Sequence, residues 1–177
     1  MTGVQTCALP ISAFGSADGV GDGIRPGIAL YGASPFAGRD AASLGLRPVM
    51  RLVSQIMALR TIGVGQSIGY GATWRAQRET RMGVIPIGYA DGFMRRLSPG
   101  AEVVIAERRV PLVGRVSMDM VTVDLTDLPA VGIGSEVELW GSGVTVDEQA
   151  EKAGTLGYEL LSGLSERVER EYLKTTR

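Results

Sequence analysis

The chain is 177 residues long, with 18 basic against 19 acidic side chains and a formal net charge of −1, which leaves no electrostatic footprint for nucleic acid and points to a small-molecule role. It contains no histidine and a single cysteine, Cys7, which excludes histidine acid–base chemistry, histidine metal sites and an internal disulfide. The length suits one substantial core, or one domain and part of a second; no apolar run approaches the roughly 20 residues that cross a bilayer, and the sparse cysteine fits a reducing, cytoplasmic compartment.

The first segment, MTGVQTCALPIS, has neither the basic start nor the long apolar stretch of a signal peptide. It is similar to the conceptual translation of a sequencing adapter, so residues 1–12 are expected to be disordered and to carry no chemistry. The stretch FGSADGVGDGIRPGIALYGASPF is dense in glycine, with one apolar burst from Ile28 to Tyr31, and predicts a loop, a short buried strand and a loop. A linker is expected over 37–47. From Leu46, LRPVMRLVSQIMALRTI predicts a long strand that bends or bulges before Gly63. RMGVIPIG, AEVVIA, VPLVG, VTVDL and EVELW follow as short strands. In VTVDL, Val121, Val123 and Leu125 alternate with Thr122 and Asp124, the pattern of a half-buried strand. Thr145 with Glu148 forms a capping box, and Ala150, Ala153 and Gly154 complete a helix of about three turns. A second helix over Tyr158 to Ser165 is expected to feed a last strand, Arg167 to Leu173. The fold class is therefore mainly β: an antiparallel, barrel-like domain with a small helical insert, preceded by the tail of another domain.

Four segments carry candidate chemistry. In Ile24-Arg25-Pro26-Gly27-Ile28 a glycine lets backbone N–H groups approach an anion such as phosphate, although an ordinary tight turn reads the same way. SIGYGATW sets Tyr70 between Gly69 and Gly71, which suits a proton donor or acceptor if neighbours stabilise the phenolate; a tyrosine packed over a turn is the plainer alternative. IPIGYADG runs from a strand into a loop displaying Tyr89 and Asp91. VGRVSMDM places Arg115 and Asp119 among apolar residues expected to bury them, where charges need partners at a ligand, at an interface or in a structural ion pair.

Taken in order, RPGIALYG, GYGATW, IPIGYADGF, PLVGRVSMDM and GYELLSGLSERV resemble the C-terminal part of the alanine racemases, over roughly residues 24 to 173. That resemblance implies an N-terminal α/β barrel holding pyridoxal 5'-phosphate on a lysine Schiff base, a C-terminal β domain, and a head-to-tail homodimer whose active sites combine both. It implies that 13–40 is a remnant of the TIM-type barrel with its last strand, and that 41–177 is the C-terminal β domain. By the same likeness Arg25 pairs with the pyridine nitrogen, and Gly27 and Ile28 bind the cofactor phosphate through their backbone N–H groups. Tyr70 is the catalytic acid–base on one face of the substrate carbon, and Met118 contacts the substrate carboxylate through its backbone. Tyr89, Arg115 and Asp119 match gate or interface residues. Glu166 departs from the pattern near the phosphate and is expected to turn away or to pair with Arg167 or Arg170. The implied activity is interconversion of L- and D-alanine for cell-wall precursors, with this stretch inactive alone because it lacks the Schiff-base lysine. A racemase of another amino acid such as serine, or a non-enzymatic β-barrel module that binds a partner, is the competing reading.

Overall fold

The computed structural model describes residues 8–9 and 23–173, so most of the 1–12 segment, Cys7, residues 13–22 and Lys174 lie outside the described residues. The chain divides into two compact units, Met1–Arg51 and Leu52–Arg177.

In the first unit, strand β1 (Ala8–Leu9) pairs in parallel with β2 (Gly23–Ile24). The apolar burst that follows is a 3-10 helix, Gly27–Tyr31, and not the expected strand. The reason is local. Pro26 sits at φ −71 in the right-handed region, and Gly32 at φ +75 closes the turn by donating its N–H to Ala29 O at 3.0 Å. Of this turn's large apolar residues Ile28 is buried, whereas Leu30 and Tyr31 are exposed.

The second unit is built on strands β3 (Leu52–Gln55), β4 (Ala58–Ile62), β5 (Ser67–Ile68), β6 (Trp74–Arg75), β7 (Thr80–Ile85), β8 (Glu102–Ile105), β9 (Arg108–Val113), β10 (Val121–Asp124) and β11 (Glu136–Trp140). Seven of them form an antiparallel sheet in the order β3-β11-β8-β9-β10-β7-β4. Its two edges, β3 and β4, are consecutive in the chain. Between them Ile56 donates to Ser135 O at 2.9 Å, beside β11, and Met57 donates to Val84 O at 2.8 Å, on β7. The chain thus changes partners at one bend, and the sheet curls until a single bent strand serves both edges. This is the bend anticipated before Gly63. The strand begins only at Leu52, after Pro48, which has no N–H to give to a ladder, and Val49, whose N–H goes to Tyr31 O at 3.1 Å.

The inner face is made by alternation. Val103 and Ile105 on β8, Val110 and Leu112 on β9, and Val121, Val123 and then Leu125 along β10 are all buried, as the VTVDL pattern predicts. Gly83 on β7 pairs with Val123 and Leu59, and a Cβ there would stand 2.6 Å from Leu125 Cδ1 and 3.1 Å from Ile56 Cδ1. Its missing side chain makes the room into which the bend residue Ile56 packs.

Helix α1 (Val146–Ala153) starts and stops where its caps dictate. Thr145 Oγ1 accepts the Glu148 N–H at 3.1 Å, Glu148 Oε2 accepts the Thr145 N–H at 2.7 Å, and Gly154 ends the helix at φ +67. Buried Gln149 donates to Glu102 O at 2.7 Å and Leu139 O at 2.6 Å, holding α1 against β8 and β11. Helix α2 (Gly157–Ser162) follows. The expected final strand over 167–173 does not form. The segment pairs with neither edge strand of the sheet, and Tyr172 and Leu173 remain more than four-fifths exposed. Among the described residues no helix is long and apolar enough to cross a membrane.

Candidate active-site loops

Tyr70 sits at the tip of a hairpin whose arms are β5 and β6. Ile68 anchors it in a small cluster with Met82 and Val113, against which Trp74 also packs. At the tip Gly69 and Gly71 adopt φ +75 and +76, a conformation that side-chain-bearing residues resist. The flanking glycines of the sequence are therefore what lets the chain turn twice around Tyr70, which is left 71% exposed. They also admit a neighbour: a Cβ on Gly69 would meet Arg115 N at 2.9 Å, and one on Gly71 would meet Arg115 Nη1 at 3.2 Å. A guanidinium thus lies against the loop that carries the phenol.

Arg115 belongs to the turn after β9, where the expectation of burial fails. Val116 alone turns inward at 2% exposure, while Arg115, Met118 and Asp119 project outward. β9 ends at Val113, so VGRVSMDM is a tight turn and not a strand with an inner face. Ser117 closes that turn: its N–H donates to Met120 O at 2.9 Å, and its hydroxyl accepts the Met120 N–H at 3.1 Å. Among the described residues, none of the turn's hydrogen bonds uses the Met118 N–H.

Tyr89 opens a 3-10 helix, Tyr89–Asp91, docked backbone to backbone on the same turn. Tyr89 N donates to Ser117 O at 3.0 Å and Ala90 N to Met118 O at 2.9 Å. Gly88 permits this approach, since a Cβ would fall 2.3 Å from Met118 O and 2.4 Å from Ser117 O. Tyr89 stays 43% exposed, but Asp91 is 8% exposed and not on display. Its carboxylate accepts the Gly88 N–H at 2.9 Å and lies 3.3 Å from Arg167 Nε. Arg167 also donates to Asp119 Oδ1 at 2.8 Å. The hydrogen bond to Asp119 and the charge of Asp91 hold this guanidinium protonated even more firmly than an ordinary arginine. Glu166 is exposed; its expected partners are engaged elsewhere, Arg167 with the two aspartates and Arg170 with Leu164 O at 3.2 Å.

The second unit therefore brings Arg115 against the Tyr70 hairpin and gathers Tyr89, Met118 and Asp119 on adjoining loops. In the first unit, Arg25 is exposed, and Gly27 at φ +53 leads Ile28 into the 3-10 turn. Among the described residues no cluster of His, Cys, Asp and Glu is placed to hold a metal ion.

The family model for the alanine racemase C-terminal domain matches residues 49–172. The chain belongs to the alanine racemase family. It is 55% identical over 150 residues to the alanine racemase of Stutzerimonas stutzeri, an alignment that covers 85% of this chain and 42% of that protein. The crystal structure of the biosynthetic alanine racemase from Pseudomonas aeruginosa superposes with a TM-score of 0.83 at 53% identity, over 87% of this chain and 43% of that one. The alanine racemase of the D-cycloserine producer Streptomyces lavendulae gives a TM-score of 0.87 at 32% identity, over 94% of this chain and 45% of that one. The chain thus spans less than half the length of these alanine racemases.

Sequence reasoning missed Arg167 as a member of the loop cluster. It stands 48 residues from Asp119, and no local pattern connects them; the only available signal was its place inside GYELLSGLSERV.

Proposed function

We propose that this chain is the C-terminal part of an alanine racemase and supplies Tyr70 as the acid–base on one face of the substrate Cα, across a homodimer interface. The observation that carries this is the hairpin tip: a tyrosine held out between two left-handed glycines, with the Arg115 guanidinium against its loop. Racemisation needs a proton removed from one side of the tetrahedral Cα and another delivered to the opposite face of the planar carbon that results. A phenol, ordinarily near pKa 10, takes part only where local positive charge stabilises its anion. The Met118 N–H, unused within its turn, is assigned to the substrate carboxylate, and exposed Tyr89, Arg115 and Asp119 to the rim through which substrate passes.

Residues 13–40 are assigned to the cofactor-binding barrel and 41–177 to the C-terminal domain. The donor set of the first unit fits pyridoxal 5'-phosphate: Arg25 for the pyridine nitrogen, and the backbone N–H groups of Gly27 and Ile28, at the head of the glycine-led turn, for the phosphate. When bound, that cofactor acidifies the substrate C–H by drawing electrons from Cα. An arginine at the ring nitrogen leaves it unprotonated and moderates that withdrawal, favouring simple proton exchange over side reactions. The chain's lysines are Lys152 and Lys174, both far in sequence from Gly27, so the cofactor lysine is assigned to the portion of the relatives that this chain does not span. Supply of D-alanine to cell-wall precursors places the work in the cytoplasm.

The test has two arms. The 177-residue chain incubated with pyridoxal 5'-phosphate should show neither a covalent cofactor absorption band nor alanine racemisation. The same chain, from Arg25 onward, joined in frame to the N-terminal portion of the Pseudomonas aeruginosa relative, should racemise alanine. Turnover by the chain alone, or a folded fusion that binds cofactor and acts on no amino acid, would overturn the proposal; preference for serine over alanine would correct the substrate.

A further inference from the structure

We infer that Arg167 is a positioning residue: its guanidinium, forked between Asp91 and Asp119, fixes the loops that present Tyr89 and Met118 and so sets substrate affinity. The inference rests on the racemase reading above for its functional half and on geometry alone for its structural half.

Three loops meet at this place. The Gly88–Gly92 turn lies against Ser117 and Met118 through the two backbone hydrogen bonds already described. It lies equally close to the segment after α2: Ser165 N donates to Asp91 O at 3.1 Å, and a Cβ on Gly92 would fall 2.4 Å from Gly163 O. Backbone contact of this kind sets distance but carries little resistance to sliding. The charged fork supplies that resistance, because Nε lies 3.3 Å from Asp91 on the first loop and Nη2 lies 2.8 Å from Asp119 on the second. A planar guanidinium presents separate, rigidly spaced N–H donors to the two carboxylates, whereas a lysine ammonium is a compact charge on a flexible stem that holds their spacing less firmly. Removing the cation also leaves Asp91 and Asp119 facing one another as like charges, with Asp91 at 12% side-chain exposure and poorly hydrated. The loops are then driven apart at the point where Met118 offers its N–H.

Amide hydrogen exchange in the 177-residue chain tests the structural half directly. The Tyr89 and Ala90 amides, which donate to Ser117 and Met118, should exchange at least about tenfold faster in Arg167→Met, with Arg167→Lys intermediate, while the Met57 amide of the barrel bend keeps its rate. Asp119→Asn, which frees the exposed end of the fork and leaves Asp91 paired, should loosen the same two amides if Arg167→Met does not fold. In the fusion racemase, Arg167→Met should raise KM for alanine about tenfold with kcat within about twofold, and Arg167→Lys should restore part of the loss. Uniform acceleration of all amides would mark Arg167 as a general stabiliser, and unchanged Tyr89 and Ala90 amides, or a fall in kcat at constant KM, would equally overturn the inference. A fusion without racemase activity defeats the racemase reading, and the exchange data still decide whether Arg167 holds the loops.

Discussion

Replacing Gly88 with alanine should damage the loop cluster out of proportion to the single methyl added. The φ at Gly88 is −152, extended backbone open to any residue, so the effect is steric and not conformational. The new Cβ would meet Met118 O at 2.3 Å and Ser117 O at 2.4 Å, where ordinary contact begins at 3.4 Å. Both obstacles are backbone atoms, so no side chain can swing aside and the two turns must separate by roughly an ångström, an overpacking cost of about 1–3 kcal/mol. That movement stretches the hydrogen bonds from Tyr89 and Ala90, each contributing about 0.5–1.5 kcal/mol. The expected total is about 2–6 kcal/mol, or, at about 2–4 °C per kcal/mol for a chain of this size, a melting temperature lower by about 4–24 °C. Urea unfolding with an unchanged slope measures it. Gly132→Ala is the control, since no atom lies within 4 Å of a Cβ there, and it should stay within about 0.5 kcal/mol of the parent. A Gly88→Ala value inside that same margin would refute the steric reasoning.

Leu125→Ala, at a side chain with 0% exposure packed over Gly83, should cost about 2–5 kcal/mol in the same urea experiment. Thr145→Ala removes the hydroxyl that accepts the Glu148 N–H and should cost about 1 kcal/mol in thermal unfolding. Glu148 carries the pH dependence of that cap: burial works to raise its pKa, but the Thr145 N–H and Arg109 outweigh burial and hold it below the ordinary 4.5. The unfolded chain therefore binds the proton first, and the stabilisation is fully present above pH 4.5 and lost as pH falls through the lower folded value. Glu148→Gln should be less stable than the parent near neutrality, by under about 1 kcal/mol for so exposed an ion pair, and the gap should close below pH 4.5; a gap that widens in acid would contradict this.

The parts of the fold that could be read from sequence are those fixed by neighbours in the chain. The alternation of Val121, Val123 and Leu125, the Thr145–Glu148 cap and the Gly69-Tyr70-Gly71 tip each depend on a few consecutive residues, and each stands where the pattern puts it. The errors lie where a local turn signal overrides composition or where distant partners decide. Ile28 to Tyr31 has the composition of a buried strand, but Pro26 and Gly32 enclose it in a turn. The segment after α2 has strand-forming residues, yet it pairs with neither edge strand of the sheet, and Tyr172 and Leu173 stay exposed. Arg115 and Asp119 look buried beside Val113, Val116 and Met118 only if the strand continues, and it stops at Val113. The Arg167 fork joins residues dozens of positions apart and needs the folded loops to be visible at all.

The central claim is that Tyr70 moves the proton on one face of the substrate carbon, and the most direct measurement is racemisation together with α-hydrogen exchange in the Tyr70→Phe fusion enzyme. That substitution removes only the hydroxyl from a side chain already 71% exposed, so folding and cofactor affinity should be retained. Racemisation should fall by about 10²–10⁴, and α-hydrogen exchange with solvent deuterium should persist for one alanine enantiomer while it is suppressed for the other. Near-parental racemisation, or exchange lost equally from both enantiomers, would contradict the assignment.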